Sequence, residues 1–281
     1  MKILFFGTSE FAVIILEKMI QGGLTPSLVV TTPDKPSGRK NIPTPSPVKV
    51  LASARNLTIA QPERIQDAYA RLLRMAPDIT VLASYGQIVP KNILDIATHG
   101  AINVHPSLLP KYRGATPVQS AILAGEKTTG VTIMRMDEEI DHGPILAQRT
   151  VPIARETYQE LHNKLAVIGA DLLIKTIPKW IRGELKAKEQ NHTLATFTRR
   201  LSKEDGHIDE TQDAEYIERQ IRAFYPWPGA YTFWQGKRIK ILKAHLEQEK
   251  LVIDKLQLEG KNPTTFREFL LGHTDFHVGP Q

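Results

Sequence analysis

Apolar residues alternate between two periods along the first two thirds of the chain. Short runs at 2–6, 28–31, 58–60, 78–83 and 100–105 read as strands. The first is continuously apolar from Ile3 to Phe6, as a strand buried on both faces must be. Between them the spacing turns helical, at 10–21, 47–55 and 65–75, with another helix at 117–124. Ser9 is placed to cap the first helix and Gly22-Gly23 to stop it, while Pro47 falls in the first turn of the second. Strand alternating with helix predicts a parallel sheet with helices on both faces. Strands at 130–135 and 145–152 are joined too closely for a helical crossover, so an antiparallel pair is expected. A long helix at 158–181 carries Leu161, Leu165, Ile168, Leu172, Leu173 and Ile177 at helical spacing, with Pro178 placed to kink it near its end.

The pattern changes after Gly183. The stretch 184–201 reads as a linker with a basic bias from Lys186, Lys188, Arg199 and Arg200, suited either to an acidic partner or to solvent. A helix at 214–224, a rigid turn at Tyr225-Pro-Trp-Pro-Gly229 and short strands at 230–234, 238–245 and 251–258 follow. Gln235-Gly236 suits a hairpin turn, and Thr264 is placed to cap a last helix at 265–271. Short strands at close spacing predict a small β-barrel. The expected organisation is an α/β domain over 1–183, a linker over 184–201 and a β domain over 202–281. The stretch 32–47 interrupts the first domain with prolines and glycine, which argue against regular structure there. Lys35, Arg39 and Lys40 make it basic, so it reads as a loop able to fold onto a phosphate backbone or as a solvated surface loop.

Composition narrows the classes. The 281 residues suffice for a substantial core, and 41% hydrophobic with 23% charged residues is the balance of a soluble globular protein. No apolar run is long enough to span a bilayer, and the apolar opening Met1-Lys-Ile-Leu-Phe-Phe6 is too short for a secretory segment. The absence of cysteine excludes disulfides, thiol catalysis and thiolate metal sites, and makes the cytoplasm the expected location. The net charge of +6 permits a polyanionic partner without demanding one. Gly7-Thr-Ser is too poor in glycine for the dinucleotide fingerprint, which excludes a nicotinamide cofactor.

The candidate chemistry lies in Ala101-Ile-Asn-Val-His-Pro-Ser-Leu-Leu-Pro110. In a strand Asn103 and His105 share one face, and Pro106 ends the ladder. Two polar side chains thus arrive together at the carboxyl end of a strand, where open α/β sheets bind ligands. An amide can donate to an oxyanion, and an imidazole can move a proton near neutral pH. Polar residues at a strand end also cap loops, and local chemistry leaves both roles open.

The stretch resembles the folate-dependent formyltransferase signature Asn-x-His-x-Ser-Leu-Leu-Pro, matched here at every specified position. Met136-Asp-Glu-Glu-Ile-Asp141-His-Gly-Pro144 is similar to the family's downstream loop, with Asp141 the matching acid. Phe6-Gly-Thr-Ser-Glu-Phe-Ala-Val13, Lys35-Pro-Ser-Gly-Arg39, Leu201-Ser-Lys-Glu-Asp-Gly206 and Gln220-Ile-Arg-Ala-Phe-Tyr-Pro-Trp-Pro-Gly-Ala-Tyr231 resemble the methionyl-tRNA formyltransferases in particular. The resemblance implies a Rossmann-like formyltransferase domain followed by an OB-like barrel that binds tRNA, with 10-formyltetrahydrofolate as co-substrate, methionyl-initiator-tRNA as acceptor, no metal, and action as a cytoplasmic monomer. It assigns catalysis to Asn103, His105 and Asp141, with Asp141 orienting His105 or a water and favouring the imidazolium. Folate contact falls to Ser107, Leu108, Leu109 and Pro110. The tRNA falls to Lys35, Arg39 and Lys40, with Lys186 and Lys188. The chain departs from the family at Pro106, where Gly is common, and in a C-terminal domain that looks about two strands short. An amino-sugar formyltransferase, or a non-catalytic RNA-binding protein on the same scaffold, are the competing readings.

Overall fold

The computed structural model describes residues 1–37, 42–274, 276 and 278. Arg39 and Lys40 lie outside them. In chain order the elements are β1 (Ile3–Gly7), α1 (Glu10–Gln21), β2 (Leu28–Val30), β3 (Lys35–Ser37), β4 (Ile42–Thr44), α2 (Pro47–Ala54), β5 (Ile59–Ala60), α3 (Tyr69–Met75), β6 (Ile79–Ala83), α4 (Lys91–Leu94) and β7 (Ala101–His105). Then come β8 (Arg113–Gly114), α5 (Pro117–Leu123), β9 (Thr128–Arg135), β10 (Ile145–Pro152), α6 (Tyr158–Ile181), β11 (Phe197–Thr198), α7 (Ala214–Phe224), β12 (Ala230–Trp234), β13 (Lys237–Glu247), β14 (Lys250–Leu258), β15 (Thr264–Thr265) and α8 (Phe266–Leu270). The chain partitions into two compact units, one of 1–113, 130–151 and 162–197, the other of 114–129, 152–161 and 198–281.

The first unit is built on a seven-stranded sheet in the order β10-β9-β7-β6-β1-β2-β5. All five residues of β1 and of β6 are buried, as the mainly apolar runs, broken in β6 only by Thr80, lead one to expect. β1 pairs parallel with β2 and β6, and β6 pairs parallel with β7. β9 runs antiparallel to β7, so the sheet is mixed where strand–helix alternation predicts parallel strands. The reason lies in the order of elements: β9 reaches its neighbour by a loop and α5 from the carboxyl end of β7, and lies with His105 opposite Thr132. Helix α1 buries Phe11, Ala12, Ile15, Leu16 and Met19, spaced by three and four. Helix α6 buries Leu161, Leu165, Ala166, Ala170, Leu173 and Ile177. At Gly169 a Cβ would meet Val104 Cγ1 at 2.8 Å and Val131 Cγ1 at 3.0 Å, so α6 lies directly against β7 and β9 beneath the site.

Two local expectations need correction. The proline-rich stretch 32–47 is not wholly irregular, because β3 and β4 pair antiparallel with Pro36 opposite Pro43. A two-stranded ribbon of three facing pairs tolerates this where the central pair contributes no ladder donors. The last helix is capped by Thr265, not Thr264: Thr265 Oγ1 accepts from the Glu268 amide while the Glu268 carboxylate accepts from the Thr265 amide. Ser9 does occupy the N-cap of α1, but its hydroxyl makes no capping bond.

The second unit holds an antiparallel sheet in the order β12-β13-β14-β15, the small β domain expected at the C-terminus. Ile239, Ile241, Ile253, Leu256 and Leu258 face Ile217 and Ile221 of α7 and Phe269 of α8 in its core. Asp213 caps α7 through the Tyr216 amide at 2.6 Å.

Candidate active site

Strand β7 delivers Asn103 and His105 to the carboxyl edge of the sheet on one face, as strand alternation requires. The loop after β9 brings Asp141 to the same place. Asn103 Nδ2 donates to Asp141 Oδ1 at 3.4 Å, and His105 Nδ1 lies 3.5 Å from Asp141 Oδ2. The His105 side chain is 5% exposed and that of Asp141 14%, so the pair faces little solvent. Asn103 and His105 on β7 and the sequence-distant Asp141 therefore form one cluster.

The tautomer of His105 follows from its other partner. Nε2 lies 2.9 Å from the carbonyl oxygen of Tyr112, which can only accept, so Nε2 carries the hydrogen. In the neutral ring the lone pair then sits on Nδ1, the nitrogen that faces Asp141.

The turn after β7 is braced from beneath. Thr132 Oγ1 donates to the Ser107 carbonyl at 2.7 Å and accepts from the Leu109 amide at 3.2 Å. Gln148 Nε2 donates to the Leu109 carbonyl at 2.8 Å and to Thr132 Oγ1 at 2.9 Å. Ser107 is fully buried, its hydroxyl donating to the Lys111 carbonyl at 2.6 Å, and Leu109 is buried too. Leu108 and Pro110 are half-buried, and Leu109–Pro110 is a cis peptide. Of the expected folate residues, Ser107 and Leu109 thus shape the turn, while Leu108 and Pro110 keep some exposed surface. Lys35, in β3, and Lys186 and Lys188 are exposed.

A second set of groups lies at the same edge, in the loops after β1 and β6. The hydroxyls of Thr8, Ser9 and Tyr85 are buried with no hydrogen-bond partner. Burial pushes the Tyr85 phenol up to about 12. Nearby Ile88 is 90% exposed, an apolar side chain without cover. Among the described residues no group of three or more His, Asp or Glu side chains is arranged to hold a metal ion.

Residues missed in the sequence support the cluster from behind. Tyr112 acts through its carbonyl, which no side-chain pattern can report. Gln148 and Thr132 were legible only as polar positions in apolar strands. The stretch 184–201, expected as a linker, is docked in part: Lys188 exchanges backbone hydrogen bonds with Ile145 at 2.8 and 2.9 Å, and Gln190 is buried.

A mixed doubly wound sheet with an Asn–His–Asp cluster at its carboxyl edge, and a small antiparallel β domain at the C-terminus, has the groups that acyl-type transfer calls for. The chain belongs to the formyl transferase family: residues 1–177 match the formyl transferase model and residues 200–251 the formyl transferase C-terminal domain. Within it the chain is similar to the methionyl-tRNA formyltransferase of Halalkalibacterium halodurans, 50% identical over 86% of this chain and 77% of that one. It is also similar to the methionyl-tRNA formyltransferase of Enterococcus faecalis, 41% identical over 96% of each. In fold it resembles the N-formyltransferase from Helicobacter canadensis solved with folinic acid and dTDP-3-aminofucose, with a TM-score of 0.68 and 21% identity, covering 92% of this chain and 95% of that one.

Proposed function

We propose that this chain transfers the formyl group of 10-formyltetrahydrofolate to the α-amine of methionine esterified to initiator tRNA, in translation initiation. The reading rests on the meeting of Asn103, His105 and Asp141 in a chain 50% identical to a methionyl-tRNA formyltransferase. The fold alone does not separate this acceptor from an amino sugar, since both kinds of enzyme share it. Identity over nearly the whole chain favours tRNA.

Each residue has a task. Asn103 donates through Nδ2 to the formyl oxygen as the amine attacks and charge builds there. His105 takes the amine proton at Nδ1 and returns it to the folate nitrogen that leaves when its bond to the formyl carbon breaks. The Tyr112 carbonyl holds the ring with Nδ1 turned inward, and Asp141 Oδ2 faces the imidazolium while it exists. The formyl donor is assigned to the run Ser107, Leu108, Leu109 and Pro110, together with the loops carrying Thr8, Ser9, Tyr85 and Ile88. The basic set Lys35, Arg39, Lys40, Lys186 and Lys188 is assigned to the tRNA. Catalysis is assigned to 1–183, with 202–281 as the tRNA-binding domain and 184–201 joining them. The cytoplasm is the proposed location, supported by a chain without cysteine.

The test is formyl transfer from 10-formyltetrahydrofolate to methionine-charged initiator tRNA, with charged elongator tRNA and an amino-sugar nucleotide in parallel. Selective transfer to the initiator is expected; transfer to the sugar alone would overturn the acceptor. Asn103→Ala and His105→Ala should each lower kcat about 100-fold or more with the KM for tRNA nearly unchanged. Near-normal turnover in either variant removes that residue from the mechanism.

A further inference from the structure

Asp141 occupies a left-handed backbone conformation, φ +48°, in a loop closed at its base by the Arg135 amide donating to the Pro144 carbonyl at 2.9 Å. A non-glycine residue there must be held. One side chain holds it from beneath. Gln190, 5% exposed, spends its amide nitrogen on two carbonyls that bracket His142: Asp141 O at 2.9 Å and Gly143 O at 2.7 Å. Its own oxygen accepts from buried Arg113, Nη2 at 2.8 Å and Nε at 3.3 Å. Arg113 Nη2 also donates to His192 Nδ1 at 2.9 Å, and the His192 ring stacks on His142 at 4.0 Å between centroids. The residue before Arg113 is Tyr112, whose carbonyl fixes His105. Two consecutive residues thus brace both members of the His105–Asp141 pair, one by its backbone and the other through Gln190.

We propose that Gln190, held by Arg113, is the positioning residue for Asp141: it sets the carboxylate against His105 and Asn103 without touching the reacting atoms. The inference rests on the catalytic role assigned above to Asp141. The amide group suits the task because it alone among side chains of this size offers two hydrogens for the loop carbonyls and an oxygen for the arginine. A misplacement of Asp141 by about 1 Å is enough to cost on the order of 100-fold in rate.

Four measurements on the whole chain decide it. Gln190→Ala should lower kcat about 10- to 100-fold while the KM values for folate and tRNA stay within about twofold, the split expected when alignment rather than binding is lost. Gln190→Glu, assayed at pH 8, keeps the shape and the Arg113 contact but has no hydrogens for the carbonyls. It should be as damaging as Gln190→Ala, and wild-type turnover would overturn the proposal. In an Asp141→Asn background Gln190→Ala should cost less than about twofold further, because the two act as a unit. Full additivity would mean that Gln190 acts on the fold at large, and would overturn it. Amide hydrogen exchange over 136–145 needs no substrate, so it remains decisive if the wild type fails to formylate tRNA, an outcome that would sink the functional reading instead. Gln190→Ala should speed exchange there about tenfold or more and leave β1 and β6 unchanged; unchanged exchange over 136–145 would overturn the proposal.

Discussion

Single residues in this protein are often fixed by what the backbone around them must accept. At Gly143 a Cβ would fall 2.0 Å from the Arg135 carbonyl oxygen, so the loop can close only over a glycine. His105 is fixed as a tautomer by a carbonyl, and Asp141 is carried in a conformation that its neighbours sustain. Asp205 shows the same economy in the C-terminal unit. Its carboxylate accepts from both terminal nitrogens of Arg199 and from the Ser202 amide at 2.6 Å. The Arg199 guanidinium comes first in holding the acid well below its ordinary value of 3.8, with the Ser202 bonds adding to it. A carboxyl whose pKa is depressed on folding stabilises the fold above the unfolded value, and that stability is lost as pH falls toward the folded one. Asp205→Asn should therefore lower the unfolding temperature at pH 7. The gap from wild type should close as pH is taken through and below about 3.8. A gap independent of pH in thermal melts would show that the charge contributes nothing.

Among the elements, the hairpins of the C-terminal sheet carry an avoidable cost. β13 and β14 are joined by Gln248-Glu249, flanked by the facing pair Glu247 and Lys250. Both turn residues are left-handed, at φ +48° and +65°, the geometry that favours Asn-Gly. The equivalent turn between β12 and β13 uses Gln235-Gly236 and meets the demand at its second position. Glu249→Gly should thus stabilise the protein by roughly 0.5–1 kcal/mol, seen as a higher unfolding temperature; a lower one would mean that the glutamate makes a compensating contact. The contrast explains which elements could be read from sequence. Gln235-Gly236 announces its turn by residue type, and β1, α1 and β7 by period. β3 and β4 do not, because a ribbon with Pro36 facing Pro43 carries the residues of a loop. Gln190 sits in a polar stretch with no period at all. Its burial comes from Arg113 and two carbonyls of a loop some fifty residues earlier, and no local pattern encodes that. Asn103 and His105 were legible because one contiguous signature carries them, and Asp141 because a second short motif at 136–144 does, whereas the groups that hold them in place are scattered.

For the molecule as a whole, the positive balance of +6 gives the proposed acceptor a physical handle. A protein that binds a nucleic acid through cations releases counterions, so its affinity falls with salt in proportion to the phosphates it neutralises. A folate donor gives up far fewer. Raising salt should therefore raise the KM for charged tRNA steeply, as a line on logarithmic axes, while the KM for 10-formyltetrahydrofolate moves little. Each of the proposed cationic contacts should account for roughly 0.7–0.9 of that slope. Lys35, exposed on β3, and Arg39 are the contacts to remove first. Arg39→Ala should weaken tRNA use, spare folate binding and flatten the salt dependence by about one contact; Lys35→Ala should flatten it similarly. If Arg39→Ala leaves the KM, turnover and salt slope for tRNA all unaltered, the basic stretch at 35–40 is not part of the tRNA surface. The contacts must then come from the Lys186 and Lys188 region or from the β domain. A KM that rises without any change of slope would point instead to a local change in shape, because only a lost ionic contact alters the number of ions released.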